Sequence, residues 1–286
     1  MKLSLKLLVI TTLIALSGSI ANSTERIVCI GSGITEIVNE LGFGNKIVAV
    51  DDESNYPPAM ADVQKIGYYK GVNTSKIMKL NPDLVIVREG AGTFISIAEL
   101  RAKCPNFLMI PDVKDVDGVK GKIRIIADHL GVHEKGKQLV DQIEESYQEI
   151  NTQISELQII PKAVYIYVTP KGDIHAYGSK TDVNEMLAIA GGYNAMTYSD
   201  NFKVVENDFF KLNKIDVVVI AQDNLNQVGG LNALINELGI DKTNAGKNNN
   251  ILVVDHSAFT GFGIRFIDNL AKLVNTYASV PVKNNN

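Results

Sequence analysis

The sequence predicts an α/β protein of two lobes, each a small, mainly parallel sheet with flanking helices, joined by one long rigid helix. Three observations carry this prediction. Short apolar runs alternate with helical stretches along most of the chain, a long unbroken amphipathic segment separates two such series, and 286 residues exceed what one hydrophobic core usually holds.

The chain opens on Met1-Lys-Leu-Ser-Leu-Lys6, runs apolar from Leu7 to Leu16, and then reaches the small residues Ser19 and Ala21. This is the pattern of a secretory signal peptide over 1–21, with cleavage expected after Ala21. Threonines interrupt the apolar run and Ser17-Gly18 breaks it, so it falls short of the roughly 20 residues a spanning helix needs. No cysteine lies near the cut, so lipid attachment is not expected. The mature chain is expected in the periplasm as a soluble protein.

The N-terminal lobe is predicted over 22–135. Ile27 to Ile30, Ile47 to Val50, Leu84 to Val87 and Phe107 to Ile110 are apolar throughout, as strands covered on both faces are. Between the first two, Gly31-Ser-Gly33 forms a turn and Ile34, Ile37, Val38 and Leu41 mark one face of a helix, which makes a βαβ unit. Glu134 to Leu157 contains no proline, and Leu139, Ile143, Tyr147, Ile150 and Ile154 recur every three or four residues. It is predicted as the interlobe backbone helix, assigned to 136–160, and at about 1.5 Å per residue it is long enough to cross a domain. A helix in place of a Gly/Ser linker predicts small lobe closure. The C-terminal lobe follows over 161–282, with strands Ala163 to Val168, Val217 to Ala221 and Ile251 to Val254 and helices around Asp182 to Ala190 and Leu231 to Leu238. Residues 283–286 read as a disordered tail.

Composition narrows the function. The 28 basic and 32 acidic residues form no polybasic run, which argues against nucleic acid and anionic membrane as partners. Gly31-Ser-Gly33 lacks the third glycine of a dinucleotide loop, and there is no phosphate-binding loop, Gly-x-Ser-x-Gly elbow, zinc-type His-x-x-x-His helix or Cys-x-x-Cys. No catalytic constellation emerges, so an enzyme is not expected. Cys29 lies in a strand and Cys104 precedes Pro105; both are expected as buried free thiols. His129 and His133 flank Gly131 and are expected at the surface.

The informative segment is Lys65-Ile-Gly-Tyr68-Tyr69-Lys70, a loop leading through a short helix to Asn81-Pro-Asp-Leu-Val-Ile86. With Arg26-Ile-Val28, Thr35-Glu36, Tyr56-Pro-Pro58, the long helix and Gly261-Phe-Gly-Ile-Arg265, it resembles the helical-backbone binding proteins that deliver haem, cobalamin and iron-siderophores to ABC importers. Ile66-Gly-Tyr68-x-Lys70, Ala190-Gly-Gly-Tyr-Asn194, Gly229-Gly-Leu231, Thr243-Asn-Ala-Gly246 and Gly261-Phe-Gly-Ile-Arg265 are similar to the haem carriers of that class. The resemblance implies haem as cargo with no catalytic cofactor, and a monomer that hands it to an inner-membrane permease and ATPase, downstream of an outer-membrane haem receptor. Cobalamin or a ferric siderophore is the alternative cargo.

The resemblance also assigns residues. Tyr68 is the implied axial ligand, with Tyr69 as rival and His175 or His256 as candidate second ligand. A phenolate oxygen suits ferric haem iron, and cations near it favour the charged form. Lys70 stands where the family has arginine; it keeps the charge and loses the bidentate geometry toward a propionate. Lys70, Arg265, Tyr177 and Phe262 are the expected propionate and cleft contacts. Asp208 and Ser75 occupy the expected transporter-docking positions, where Ser75 replaces the usual glutamate.

Overall fold

The computed structural model describes residues 24–206 and 208–282. The signal-peptide and tail assignments lie outside the described residues.

The N-terminal series runs β1 (Ile27–Ile30), α1 (Ser32–Val38), β2 (Ile47–Val50), β3 (Gln64–Lys65), α2 (Thr74–Met78), β4 (Leu84–Arg88), α3 (Phe94–Lys103) and β5 (Phe107–Ile110). Its five strands are all parallel, in the order β3-β2-β1-β4-β5. The period of two explains why the runs are apolar throughout. Ile27, Cys29, Leu84 and Ile86 enter one core, while Val28, Ile30, Val85 and Val87 enter another with Ile77 of α2 and Leu100 of α3. Cys29 and Cys104 are buried and unbridged, as expected from their apolar settings. His129 and His133 are exposed.

Two helices follow, α4 (Val116–His129) and α5 (His133–Ser155). The second is the long helix of the sequence, and it packs against α4 and against α11 near the C-terminus. Its Val140, Ile143 and Ile150 join a single apolar cluster that also contains β1 and β6 residues, so the helix welds the two halves together along its length.

The C-terminal series is β6 (Lys162–Val168), β7 (Ile174–Ala176), α6 (Asp182–Ile189), β8 (Tyr193–Asn194), β9 (Lys203–Val204), α7 (Phe209–Leu212), β10 (Val217–Ala221), α8 (Leu231–Glu237), α9 (Asn244–Lys247), β11 (Ile251–Val254), α10 (His256–Thr260) and α11 (Phe266–Ala278). Its sheet is ordered β11-β10-β6-β7-β9, with β8 also paired to β6. Here β7 runs antiparallel to both neighbours, which departs from an all-parallel lobe.

A second junction joins the halves near the top of the sheets. A Cβ on Gly33 would stand 2.2 Å from the carbonyl oxygen of Gly261 and 2.9 Å from the amide nitrogen of Gly263. Backbone meets backbone there, and only glycine leaves room. Gly33→Ala is therefore expected to cost about 1–3 kcal/mol by overpacking. A lowered denaturant midpoint at unchanged m-value checks this; an unchanged midpoint contradicts it.

Candidate binding cleft

The carboxyl ends of the strands open onto a cleft of about 270 Å³ between the halves. Open α/β sheets bind ligands at this edge because the loops leaving each strand converge there. Glu53 follows β2, Tyr68 follows β3, Arg88 ends β4, Asp112 follows β5 and His256 follows β11. Each of these lines the cleft, with Tyr69, Lys70, Lys114, Tyr177, Asp182 and Phe202.

The tyrosine loop is held by its own backbone. Gly67 sits at φ 107°, a conformation that favours glycine. Asp52 donates its amide to the Gly67 carbonyl (3.1 Å), Gly71 to Tyr68 (2.7 Å) and Gly92 to Tyr69 (2.9 Å). Three successive carbonyls are thus tied, and the side chains are presented from a fixed frame. Tyr68 is 49% exposed at the cleft surface. Tyr69 meets it edge-on at 4.6 Å, and the Arg88 guanidinium lies 4.8 Å from the Tyr69 ring centre. Lys70 Nζ lies 5.8 Å from the same ring.

Burial raises the pKa of Tyr68 above the ordinary phenol value. The neighbouring Tyr69 hydroxyl and the Arg88 charge oppose this, whereas Glu53 adds to the rise. Tyr69 is pushed further up, chiefly by burial. The Glu53 carboxyl is itself pushed up to about 7, first by burial and then by Asp51. Tyr68 is therefore a neutral phenol at neutral pH, with a hydroxyl and a cation nearby that favour its charged form.

The opposite wall is aromatic. Tyr177 packs edge-on against Tyr165 (5.4 Å) and Tyr167 (6.2 Å), and Phe202 lies 5.8 Å from Tyr177. His256 Nδ1 lies 2.7 Å from the Tyr165 hydroxyl, and its ring is 4.6 Å from Tyr167. Burial lowers the His256 pKa, which keeps the imidazole neutral and able to act as a metal ligand. His175 stands on β7 stacked on Phe202 at 5.1 Å, beside the lining residues. Among the described residues, no three His, Cys, Asp or Glu side chains converge to hold a bare metal ion.

Two expected cleft contacts lie elsewhere. Arg265 does not line the cleft; its Nη2 and Nε bind Glu36 Oε1 at 2.7 and 2.9 Å, and its guanidinium lies 4.0 Å from the Tyr56 ring centre. Glu36 is buried on α1, so Arg265 neutralises a charge between the halves instead of meeting a ligand. Phe262 is 1% exposed and stacked on Phe266 at 4.9 Å, because φ of 46° at this residue turns it into the core. Sequence reading missed Arg88, Glu53, Asp112, Lys114 and Asp182. A usable signal was present: Arg88-Glu89 ends an apolar strand at the edge where ligands bind. Asp208 and Ser75 are both exposed, Asp208 as the residue capping α7 and Ser75 on α2.

Comparison with known proteins agrees with the architecture. A Bacillus subtilis protein named as an uncharacterized ABC transporter substrate-binding lipoprotein, YvrC, is 28% identical over 261 residues, covering 89% of this chain and 80% of its own. The vitamin B12-binding protein of Vibrio cholerae is 26% identical over 176 residues, 62% of each chain. The apo structure of the periplasmic heme-binding protein RhuT from Roseiflexus sp. RS-1 superposes with a TM-score of 0.79 at 30% identity, covering 90% of this chain and 99% of its own. The family model described as "Periplasmic binding protein" matches residues 27–258. The match spans both α/β halves that flank the cleft, and this chain belongs to the periplasmic binding proteins.

Proposed function

We propose that the cleft captures haem in the periplasm and presents it to an inner-membrane ABC importer, with Tyr68 as the axial ligand of the ferric iron. The observation that carries this reading is the tyrosine pair itself. A half-exposed phenol faces an aromatic wall, with the Tyr69 ring edge-on against it and Arg88 against the Tyr69 ring. Such an arrangement suits a ligand that is flat, apolar and metal-bearing at its centre. The rival Tyr69 is less suited, because its ring is half-buried between Tyr68 and Arg88 and packs on the core of its own half. His256 is the better-placed second ligand, since it lines the cleft and His175 does not. The heme-binding name of the RhuT structure supports the same reading. Asp208 and Ser75, exposed on the two halves, are the proposed docking points for the permease.

Cobalamin is the second reading, favoured by the vitamin B12-binding relative. The two separate by pH. Free Tyr68 titrates above the ordinary phenol value and binds as phenolate, so ligation of ferric haem releases its proton. Between pH 6 and 8 the free protein holds that proton, and haem affinity is expected to rise with pH by up to about tenfold per unit. Absorbance titrations across this range check it, and flat or falling affinity removes Tyr68 phenolate ligation.

A further inference from the structure

The cleft holds charges from both halves. Arg88 Nη2 lies 2.8 Å from Asp112 of its own half and 3.5 Å from Asp182 of the other. Lys114 also pairs with Asp182, and lies 3.7 Å from Asp112. Asp182 is thus the one carboxylate of this network that reaches across the cleft.

Asp182 is also the one built to let go. It is the first residue of α6, whose N-cap Thr181 accepts from the Asn184 amide. The positive end of that helix continues to favour the Asp182 charge when its cross-cleft partners leave it. Asp112 holds Arg88 from the same half at the shorter distance and has no reason to move. Removal of Asp182 from the network leaves Arg88, Lys114 and Lys122 sharing Asp112, with Glu53 near Arg88, a surplus of positive charge in the cleft.

We propose that Asp182 is a built-in stand-in for a ligand carboxylate. It occupies the Arg88–Lys114 subsite, and a haem propionate takes its place when cargo enters. This rests on the haem reading above and deepens it. It supplies a propionate site that Lys70, lacking a guanidinium fork, fills poorly, and it lets one exchange couple binding to the relation between the halves.

The test uses two iron porphyrins, hemin and hemin dimethyl ester, whose carboxylates are blocked. Asp182→Asn keeps the shape of the side chain and is expected to tighten hemin about three- to tenfold by removing the competitor. Lys114→Gln is expected to weaken hemin by a similar factor, about three- to tenfold. Neither variant is expected to move the ester by more than about twofold. Asp182→Ser, also suited to the start of a helix, serves as a second variant. Hemin affinity unchanged or weakened in both Asp182 variants overturns the proposal, as does an equal shift of both porphyrins. If the wild-type protein binds neither porphyrin, the haem reading fails and this inference with it; if it binds both and the Asp182 variants are neutral, only the stand-in role fails.

Discussion

Tyr68→Phe is expected to lower the affinity for ferric haem by about a hundredfold or more and to abolish the Soret shift that accompanies binding. The substitution removes one oxygen and leaves the ring. Its loop is tied by three backbone hydrogen bonds, so the frame persists and the measurement reports on ligation alone. Tyr69→Phe is expected to cost only about tenfold, because it removes a neighbouring hydroxyl that favours the Tyr68 phenolate while keeping the ring beneath Arg88. Spectrophotometric titration of the apo-protein separates the two. If Tyr69→Phe abolishes the shift and Tyr68→Phe does not, the rival tyrosine is the ligand.

Arg265→Leu is expected to be the most damaging single change to stability, at about 3–5 kcal/mol. Glu36 is 3% exposed, and the 2.7 and 2.9 Å bonds from Arg265 are its charge compensation. Burial already wins over Arg265 by enough to raise the Glu36 pKa above the usual carboxylate value, and losing the cation raises it further. The sign follows from the protons bound. With its folded pKa above the unfolded value of about 4.3, Glu36 binds more protons folded than unfolded, so stability falls as pH rises above that value. The Arg265→Leu protein is therefore expected to regain much of its loss near pH 5, and Glu36→Gln in the same chain to restore part of it at pH 7. Urea unfolding at the two pH values checks both. A loss that does not depend on pH would assign Arg265 a packing role against Tyr56 alone.

Much of the architecture was legible because its signals are local. The runs around Ile27, Ile47, Leu84, Phe107, Val217 and Ile251 are apolar on both faces, and only strands sandwiched between helices require that. The long helix was legible from its three-and-four spacing, although it runs His133–Ser155, three residues earlier at its start and five at its end than the 136–160 assigned to it. The short β7 and β9 escaped because three- and two-residue strands carry no periodicity.

The site was less legible, for a physical reason. Tyr68, Tyr69, Lys70, Tyr177 and His256 follow strand ends closely, so the preceding strand sets their direction, and all five line the cleft. Arg265 follows a motif that implies a ligand contact, yet its outcome depends on Glu36, more than two hundred residues away, which nothing local connects to it. Phe262 was lost to a single left-handed residue. The cross-cleft network of Arg88, Lys114 and Asp182 is likewise a product of tertiary placement.

The central claim is that this cleft is shaped for haem, and competition between two cargoes tests it most directly. The apo-protein is titrated with hemin and, separately, with cyanocobalamin, following absorbance and intrinsic fluorescence. The expected result is a saturable Soret change with hemin at micromolar concentration or below, lost in Tyr68→Phe, and no saturation by cyanocobalamin in the same range. Saturation by cyanocobalamin with no response to hemin would contradict the account.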